Sequence, residues 1–464
     1  MNHEEILKLD NKILKNDFCI NDKNLLIWPL IRPVVHEILV SNEGNSLKPH
    51  AKQPRFSFSN LKYLYYTLYY NVSKCKKEYK ILFYVPARGR LDDTDFNIYS
   101  DYYVPLTDKT LVIDKPFRGR YKLPQNTKNF YTGEYGRLKS FLYSKIRQIL
   151  LCKKNKDIEK FIQFLKKECS VKNNSLEKIR KKLYEFYCSY DIYKSYHSSI
   201  LKKLKPKIIF VTAGSYGQYH AMLIKTAKEL GIITAEFQHG TISKGHFAYN
   251  YGKEVFKSKE YKKYLPDYIF TYGDYWNDQM NIPSETVTIG APHFYHSIKK
   301  YKHIKEKKNT ILVVSQGTMT KEFVSIAEYL SEHLPNQKII FKLHPGEVPF
   351  EERYKSLYRF DNIKVAKSGD IFRYLTVCEH IVAHTSTTIF EAMGFNKKIY
   401  IIDDKSSRIY IPKNVGIRFR GKDELKELIQ NNEKQDTNYN LEYYFNSNWE
   451  EKYKRFLSET IAIT

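Results

Sequence analysis

No two of the six cysteines form a Cys-x-x-Cys pair: Cys19, Cys75, Cys152, Cys169, Cys188 and Cys378 are scattered without regular spacing. That excludes a disulfide framework and a zinc-site signature, and it predicts a reduced compartment. The amino terminus, Met1-Asn2-His3-Glu4-Glu5, lacks the basic-then-apolar order of a signal peptide. No apolar run approaches the roughly 18 to 20 residues that span a bilayer. A cytoplasmic location is therefore expected. Acidic residues are scarce, with 51 Asp and Glu against 77 Lys and Arg, which leaves a formal net charge of +26. The basic residues concentrate from Lys139 to Lys207, where Lys153-Lys154, Lys166-Lys167, Arg180-Lys181-Lys182 and Lys202-Lys203 recur among Leu, Ile, Phe and Tyr. A solvated helical face ranks first as the reading. Contact with the anionic inner leaflet of a membrane ranks second. Nucleic acid ranks last, because no zinc finger, RRM signature or helix-turn-helix pattern accompanies the charge.

What is present is a globular composition, 42% hydrophobic and 15% aromatic, with 40 Tyr and 27 Phe. At 464 residues two domains are favoured over one. From about Ile6 to Tyr70 the pattern is helical, interrupted by a polar stretch from Ser41 to Arg55. A first strand runs from Tyr79 to Pro86. The basic region from Arg137 to Leu204 has helical periodicity. Strand and helix then alternate: Lys207–Thr212, Tyr219–Leu230 with Gly231 as the stop, and Ile232–Phe237. After the lysine-rich stretch Lys299–Lys308 a second series begins with Thr310–Ser315, Lys321–His333 and Lys338–Leu343. It continues through Asn362–Val365, His380–Ala383 and Lys398–Ile402. Such alternation indicates βαβ units and parallel sheets. The expected organisation is a helical N-terminal region (1–76), a Rossmann-like domain (77–295) with a basic helical insertion (about 137–204), and a second Rossmann-like domain (296–464), the two domains facing across a cleft.

Two strand ends stand out. Phe341-Lys342-Leu343-His344-Pro345-Gly346 and His384-Thr385-Ser386-Thr387-Thr388-Ile389-Phe390-Glu391-Ala392 each end an apolar run in polar groups. Open parallel sheets bind ligands outside the carboxyl ends of their strands, and a helix opening there offers unpaired N–H groups to a phosphate. Proline at 345 keeps His344 extended. Side by side, these ends predict a crevice for a phosphorylated ligand, lined by Lys342, His344, Pro345, Ser386, Thr387 and Thr388. Gln316-Gly317-Thr318, after the strand ending at Ser315, would line the same crevice.

The ordered set Phe237-Gln238-His239-Gly240-Thr241-Ile242-Ser243, Pro266–Gly273, Ile289-Gly290-Ala291-Pro292, Lys342-Leu343-His344-Pro345 and Ser386–Ala392 resembles the GT-B glycosyltransferases of bacterial capsule and lipopolysaccharide (O-antigen) synthesis. It is most similar to the capsule-synthesis, Kdo-transferase and polysialyltransferase group. The resemblance covers about Lys207 to Asp403. It implies an α/β, GT-B fold with a helical N-terminal extension, a nucleotide-sugar donor such as CMP-sialic acid or CMP-Kdo, and an oligosaccharide or lipid-linked acceptor. A looser similarity to the teichoic-acid glycerol-phosphate transferases ranks second. Their acidic-Tyr-Ser-Ser pattern is replaced here by Ser386-Thr387-Thr388.

Breaking the sugar–nucleotide bond leaves extra negative charge on phosphate, so donors fixed there stabilise the transition state. His344, Ser386, Thr387 and the helix-opening N–H groups are the candidates, and Glu391 is expected to accept from the nucleotide ribose. No metal and no cofactor beyond the donor is required, and Asp403-Asp404 does not form an Asp-x-Asp centre. An inverting transfer needs a base. Asp93, in an acidic element resembling that of bacterial sialyltransferases but lacking its glycine, is the preferred base, and His239 is given a role in the cleft. A nucleotide-sugar epimerase and a basic nucleic-acid-binding protein remain the rival classes.

Overall fold

The computed structural model describes residues 3–41, 58–86, 96–115, 121, 123, 125–150, 155–169, 171–431, 435 and 438–462. Two parallel sheets carry the architecture. The first contains β1 (Ile81–Pro86), β2 (Thr110–Lys115), β3 (Phe130–Thr132), β4 (Ile208–Thr212), β5 (Ile233–Phe237), β6 (Tyr268–Thr271) and β7 (Glu285–Thr288), in the spatial order β3-β2-β1-β4-β5-β6-β7. The second contains β8 (Thr310–Val314), β9 (Lys338–Lys342), β10 (Ile363–Ala366), β11 (His380–Ala383), β12 (Lys398–Ile402) and β13 (Ile417–Phe419), in the order β10-β9-β8-β11-β12-β13. Each order reverses once, between β1 and β4 and between β8 and β11. Those are the switch points where doubly wound sheets open a ligand crevice. This is the GT-B arrangement of two Rossmann-like sheets that the sequence leads one to expect.

Most strands read correctly from sequence are buried on both faces, although the edge strand β10, with Lys364 exposed, is read as well. Ile208-Ile209-Phe210-Val211-Thr212 and His380-Ile381-Val382-Ala383 are buried throughout, because helices cover both faces of a parallel sheet and alternation disappears. β2, β3, β6, β7 and β13 have short apolar runs or lie at a sheet edge, and the sequence pattern does not mark them as strands.

The N-terminal helices α1 (His3–Lys15) and α2 (Trp28–Ser41) pack against the first domain. The buried Asp10 carboxylate accepts from Trp28 Nε1 at 2.8 Å, Arg32 Nε at 2.7 Å and Nη2 at 2.9 Å, and the Gly252 N–H at 3.1 Å. Arg32 in turn donates to the carbonyls of Phe247 and Asn250 and lies 4.2 Å from the Tyr251 ring centre. Gly217, at φ +71°, passes so close to α2 that a Cβ there would sit 2.3 Å from the Pro29 carbonyl oxygen. Only glycine fits both constraints. A further helix, α3 (Phe58–Tyr69), leads into the first sheet.

Three helices fill the basic segment: α4 (Glu134–Leu150), α5 (Lys156–Glu168) and α6 (Asn173–Leu204). Asn155 caps α5 through Asp157 and Ile158 N–H groups, with acids in its first turn and lysines in its last, as capping and the helix dipole favour. Part of the positive charge here is answered by carboxylates, while Lys160, Lys166, Lys167, Lys178, Lys181 and Lys202 stand exposed. Arg147 pairs with Asp191, Arg180 with Glu159 and Glu177, Lys182 with Glu185, and Lys194 with Glu229. Lys153 and Lys154 lie outside the described residues.

The last helix, Trp449–Ile461, crosses back to the first sheet. Tyr453, Phe456, Leu457 and Ile461 share a buried cluster with Ile81, Phe83, Phe210 and Phe270. The amphipathic sequence of that helix does not disclose this return crossing. Among the described residues no helix is long and apolar enough to cross a membrane.

Candidate functional site

The expected strand ends do converge, with one rearrangement. β8 lies between β9 and β11, so Gln316 separates His344 from Ser386 and stands at the switch point. Its amide exchanges two hydrogen bonds with Thr385 after β11: Nε2 donates to Oγ1 at 3.1 Å, and Oγ1 donates to Oε1 at 3.2 Å. The crevice is thereby bridged at its base.

His344 is exposed at the end of β9. Its Nδ1 accepts the Gly346 N–H at 3.0 Å, so the neutral ring carries its proton on Nε2, ready to donate to a phosphate oxygen. Glu347, buried, holds this loop: it accepts the His344 N–H at 3.0 Å, Ser315 Oγ at 3.0 Å and the Tyr354 hydroxyl. Nothing in the local sequence pattern beyond Gly346 marks this residue. Gly317 lies against the same carboxylate, 3.4 Å separating a notional Cβ from Glu347 Cγ. Pro345 is exposed beside the histidine. Lys342 turns inward instead. Its buried ammonium donates to the Leu343 carbonyl at 3.1 Å, and burial lowers its pKa despite Asp370 and Glu347 nearby.

The three hydroxyls after β11 divide their roles. Ser386 Oγ accepts the Thr388 N–H at 3.2 Å, a capping contact. Thr387 Oγ1 accepts from Thr241 Oγ1 at 3.2 Å, which joins the two domains and brings the His239-Gly240-Thr241 loop onto the donor crevice. Thr388 is buried and bonds Glu391. The helix that follows, Thr388–Met393, has six residues, so its own first N–H groups and not a long dipole would meet a phosphate. Ser386→Ala with Thr387→Ala should weaken nucleotide binding more than it lowers stability, since a cap contributes about 1 kcal/mol. Unchanged nucleotide affinity with a lowered melting temperature would reduce both residues to caps.

On the opposing side Gln238 is fully buried. Its Nε2 donates to the Gly240 carbonyl at 2.9 Å, and its Oε1 accepts the Tyr272 N–H at 2.9 Å. Gln238 thus shapes the loop that presents His239, whose ring packs 5.1 Å from Tyr216. Tyr216 meets His246 Nε2 at 3.0 Å. Asp93 lies outside the described residues.

Glu391 and Gln238 also line a cavity of about 80 Å³ between the domains, with His293 and the rings of Tyr103, Phe237 and Phe372. Burial, reinforced by Asp370, pushes the Glu391 carboxyl up to about 7, against the Thr388 bond. Burial lowers His293 to about 4, with Asp370 opposing, and Tyr102 meets its Nδ1 at 3.0 Å. Burial thus favours the protonated acid and the neutral imidazole in this cavity. Between the ordinary glutamate value and about 7, native Glu391 keeps a proton that the unfolded chain has released, so stability falls as pH rises through that window. Glu391→Gln should flatten the fall in melting temperature from about pH 5 to about pH 7. Parallel profiles for variant and wild type would contradict it.

A second pair went unread in the sequence. His384 Nε2 meets Asp404 Oδ1 at 2.8 Å just behind Thr385. Burial pushes the Asp404 carboxyl up, but the Ser407 N–H and His384 outweigh it and hold the pKa below its ordinary value. Among the described residues no group of three or more His, Cys, Asp or Glu is placed to hold a metal ion.

No protein-family profile matches the chain, and no curated protein matches it. Solved structures resemble its fold. UDP-GlcNAc 2-epimerase from Neisseria meningitidis bound to UDP-GlcNAc is 12% identical, with 82% of this chain and 100% of that chain covered and a TM-score of 0.49. A putative UDP-N-acetylglucosamine 2-epimerase from Listeria monocytogenes is 10% identical, with coverage of 82% and 96% and a TM-score of 0.48. A glycosyltransferase from Rickettsia africae is 13% identical, with coverage of 83% and 100% and a TM-score of 0.44. Likeness of this degree bears on neither substrate nor reaction.

Proposed function

We propose that this chain is an enzyme that binds a nucleotide-activated sugar between its two domains and transfers the sugar to an acceptor hydroxyl. The observation that carries the reading is the convergence of His344, Gln316 and Thr385–Thr387 on the switch point of the second sheet, with the His239 loop joined to them through Thr241 and Thr387. A base takes the acceptor proton, the acceptor oxygen bonds to the anomeric carbon, and the bond to the nucleotide phosphate breaks with its electron pair on the phosphate oxygen. His344 Nε2–H and the hydroxyl and N–H groups at Ser386 and Thr387 are the donors for that charge. His239 faces the acceptor side, and Asp93 is the second candidate base. A CMP-activated acidic sugar as donor, and a surface-polysaccharide or lipid-linked acceptor, are supported by the sequence motifs alone.

Epimerisation of a nucleotide sugar without an acceptor is the second reading, and it has its own observation. Glu391 and His293 share the cavity beneath the crevice in protonation states suited to removing and returning a proton at carbon. Incubation of the donor panel, UDP-GlcNAc included, in D₂O separates the two. Transfer requires acceptor and releases nucleotide in step with acceptor extension, whereas epimerisation proceeds without acceptor and places deuterium on the sugar. Neither product from any donor would overturn the assignment.

A further inference from the structure

Ten of the thirteen large apolar side chains exposed among the described residues lie on two helices, α3 and α4. On α3 they are Leu61, Leu64, Tyr65, Leu68 and Tyr69, a stripe at helical spacing that elsewhere marks the face turned into a core; here it faces solvent, with Leu61 63% exposed. On α4 they are Tyr135, Phe141, Leu142, Tyr143 and Ile146, with Leu142 61% exposed. The helices are joined by Tyr63, whose hydroxyl donates to Glu134 and accepts from Arg137 Nη2 at 3.1 Å. The other three exposed residues, Tyr358, Ile409 and Tyr443, are single and scattered. Scattered side chains need no account, but apolar stripes clustered on two adjoining helices mark an interaction site.

Charge identifies the occupant. Lys62, Lys139 and Lys145 are exposed on the same two helices, whereas their one carboxylate, Glu134, is buried and held by Tyr63 and Arg137. Apolar and tyrosine side chains interleaved with lysines, and no exposed acid, match the interface of an anionic bilayer, where aromatic rings sit at headgroup level and lysine stems reach outward. The remainder of the basic segment does not offer such a face: α5 and α6 carry exposed lysines but no exposed large apolar side chain. The location also fits. The Thr132 N–H donates to the Tyr70 carbonyl at 2.8 Å, so the end of α3 and the start of α4 meet at the carboxyl end of β3. In a parallel sheet that is the same side as the ends of β4 and β5, which open onto the cleft.

We propose that α3 and α4 form a docking surface for anionic lipid, inserting their leucine, isoleucine and tyrosine side chains and setting the mouth of the cleft beside the membrane. The proposal holds whichever sugar chemistry the cleft performs. Its test is co-sedimentation of the full chain with vesicles of phosphatidylcholine containing phosphatidylglycerol and with vesicles of phosphatidylcholine alone. Wild type should bind the former and leave the latter largely unbound. High salt should weaken binding without abolishing it, because apolar insertion survives screening. Leu64→Glu with Leu142→Glu, and separately Lys139→Glu with Lys145→Glu, should each lower the partition by about tenfold or more, with melting temperature and nucleotide binding kept. Wild-type protein that ignores the anionic vesicles, or a Leu64→Glu/Leu142→Glu variant that binds them as well as wild type, overturns the proposal. A wild-type dimer that ignores the vesicles, and that the same variant splits on size exclusion, assigns the face to a second copy of the chain instead.

Discussion

In a folded His344→Ala protein, turnover of the nucleotide sugar is expected to fall by about 10² to 10³-fold, the cost of one fixed donor to developing oxyanion charge. The side chain is exposed, so its removal opens no core and stability should stay within about 0.5 kcal/mol. Two contacts aim the ring: the Gly346 N–H on Nδ1 and the Glu347 carboxylate on the backbone N–H. Glu347 therefore acts through His344, and Glu347→Gln should lower kcat less than His344→Ala does. Steady-state kinetics on purified protein decide the matter, and wild-type kcat/KM in a folded His344→Ala variant would remove the histidine from the chemistry.

Asp10→Ala should destabilise the protein by about 3 to 5 kcal/mol, since it strands the buried Arg32 guanidinium without its carboxylate. The loss extends beyond the ion pair, because Trp28 Nε1 and the Gly252 N–H lose the same acceptor. Replacing both partners by apolar residues of similar volume, Asp10→Leu with Arg32→Met, should cost less than the single change, as buried pairs exchanged whole often do. Urea unfolding followed by circular dichroism reads the difference. A loss under about 1 kcal/mol for Asp10→Ala would mean that α1 and α2 are not integral to the first domain.

Local pattern carried the strands buried on both faces and the strand-end residues that line the crevice. Val313-Val314-Ser315-Gln316 and Phe341-Lys342-Leu343-His344 could be placed because a run of apolar residues ending in polar ones has one reading in a parallel sheet. Side-chain direction was less legible. Thr388 and Lys342 lie within the expected motifs yet turn into the protein, and that depends on the exact phase at which a strand or helix begins. Long-range partners were not legible at all. Asp10 with Arg32 and Gly252, His384 with Asp404, and Thr241 with Thr387 are brought together by folding from distant positions. The same holds for the basic segment. Asp191, Glu159 and Glu229 answer three of its cations from neighbouring turns and helices, and the exposed large apolar side chains lie on α3 and α4 and not on the densest lysine run.

The claim that the switch point of the second sheet binds a nucleotide is tested most directly by thermal unfolding of wild type and His344→Ala across CMP, CDP, UDP and GDP. A ligand that binds only the folded state stabilises it by RT ln(1 + [L]/Kd), about 2.7 kcal/mol at a hundredfold excess over Kd. Wild type should be stabilised by at least one of the four, with CMP or CDP above UDP and GDP, and His344→Ala should lose most of that shift. A wild-type protein that no nucleotide stabilises, or a His344→Ala variant stabilised as fully as wild type, would contradict the placement of the donor in this crevice.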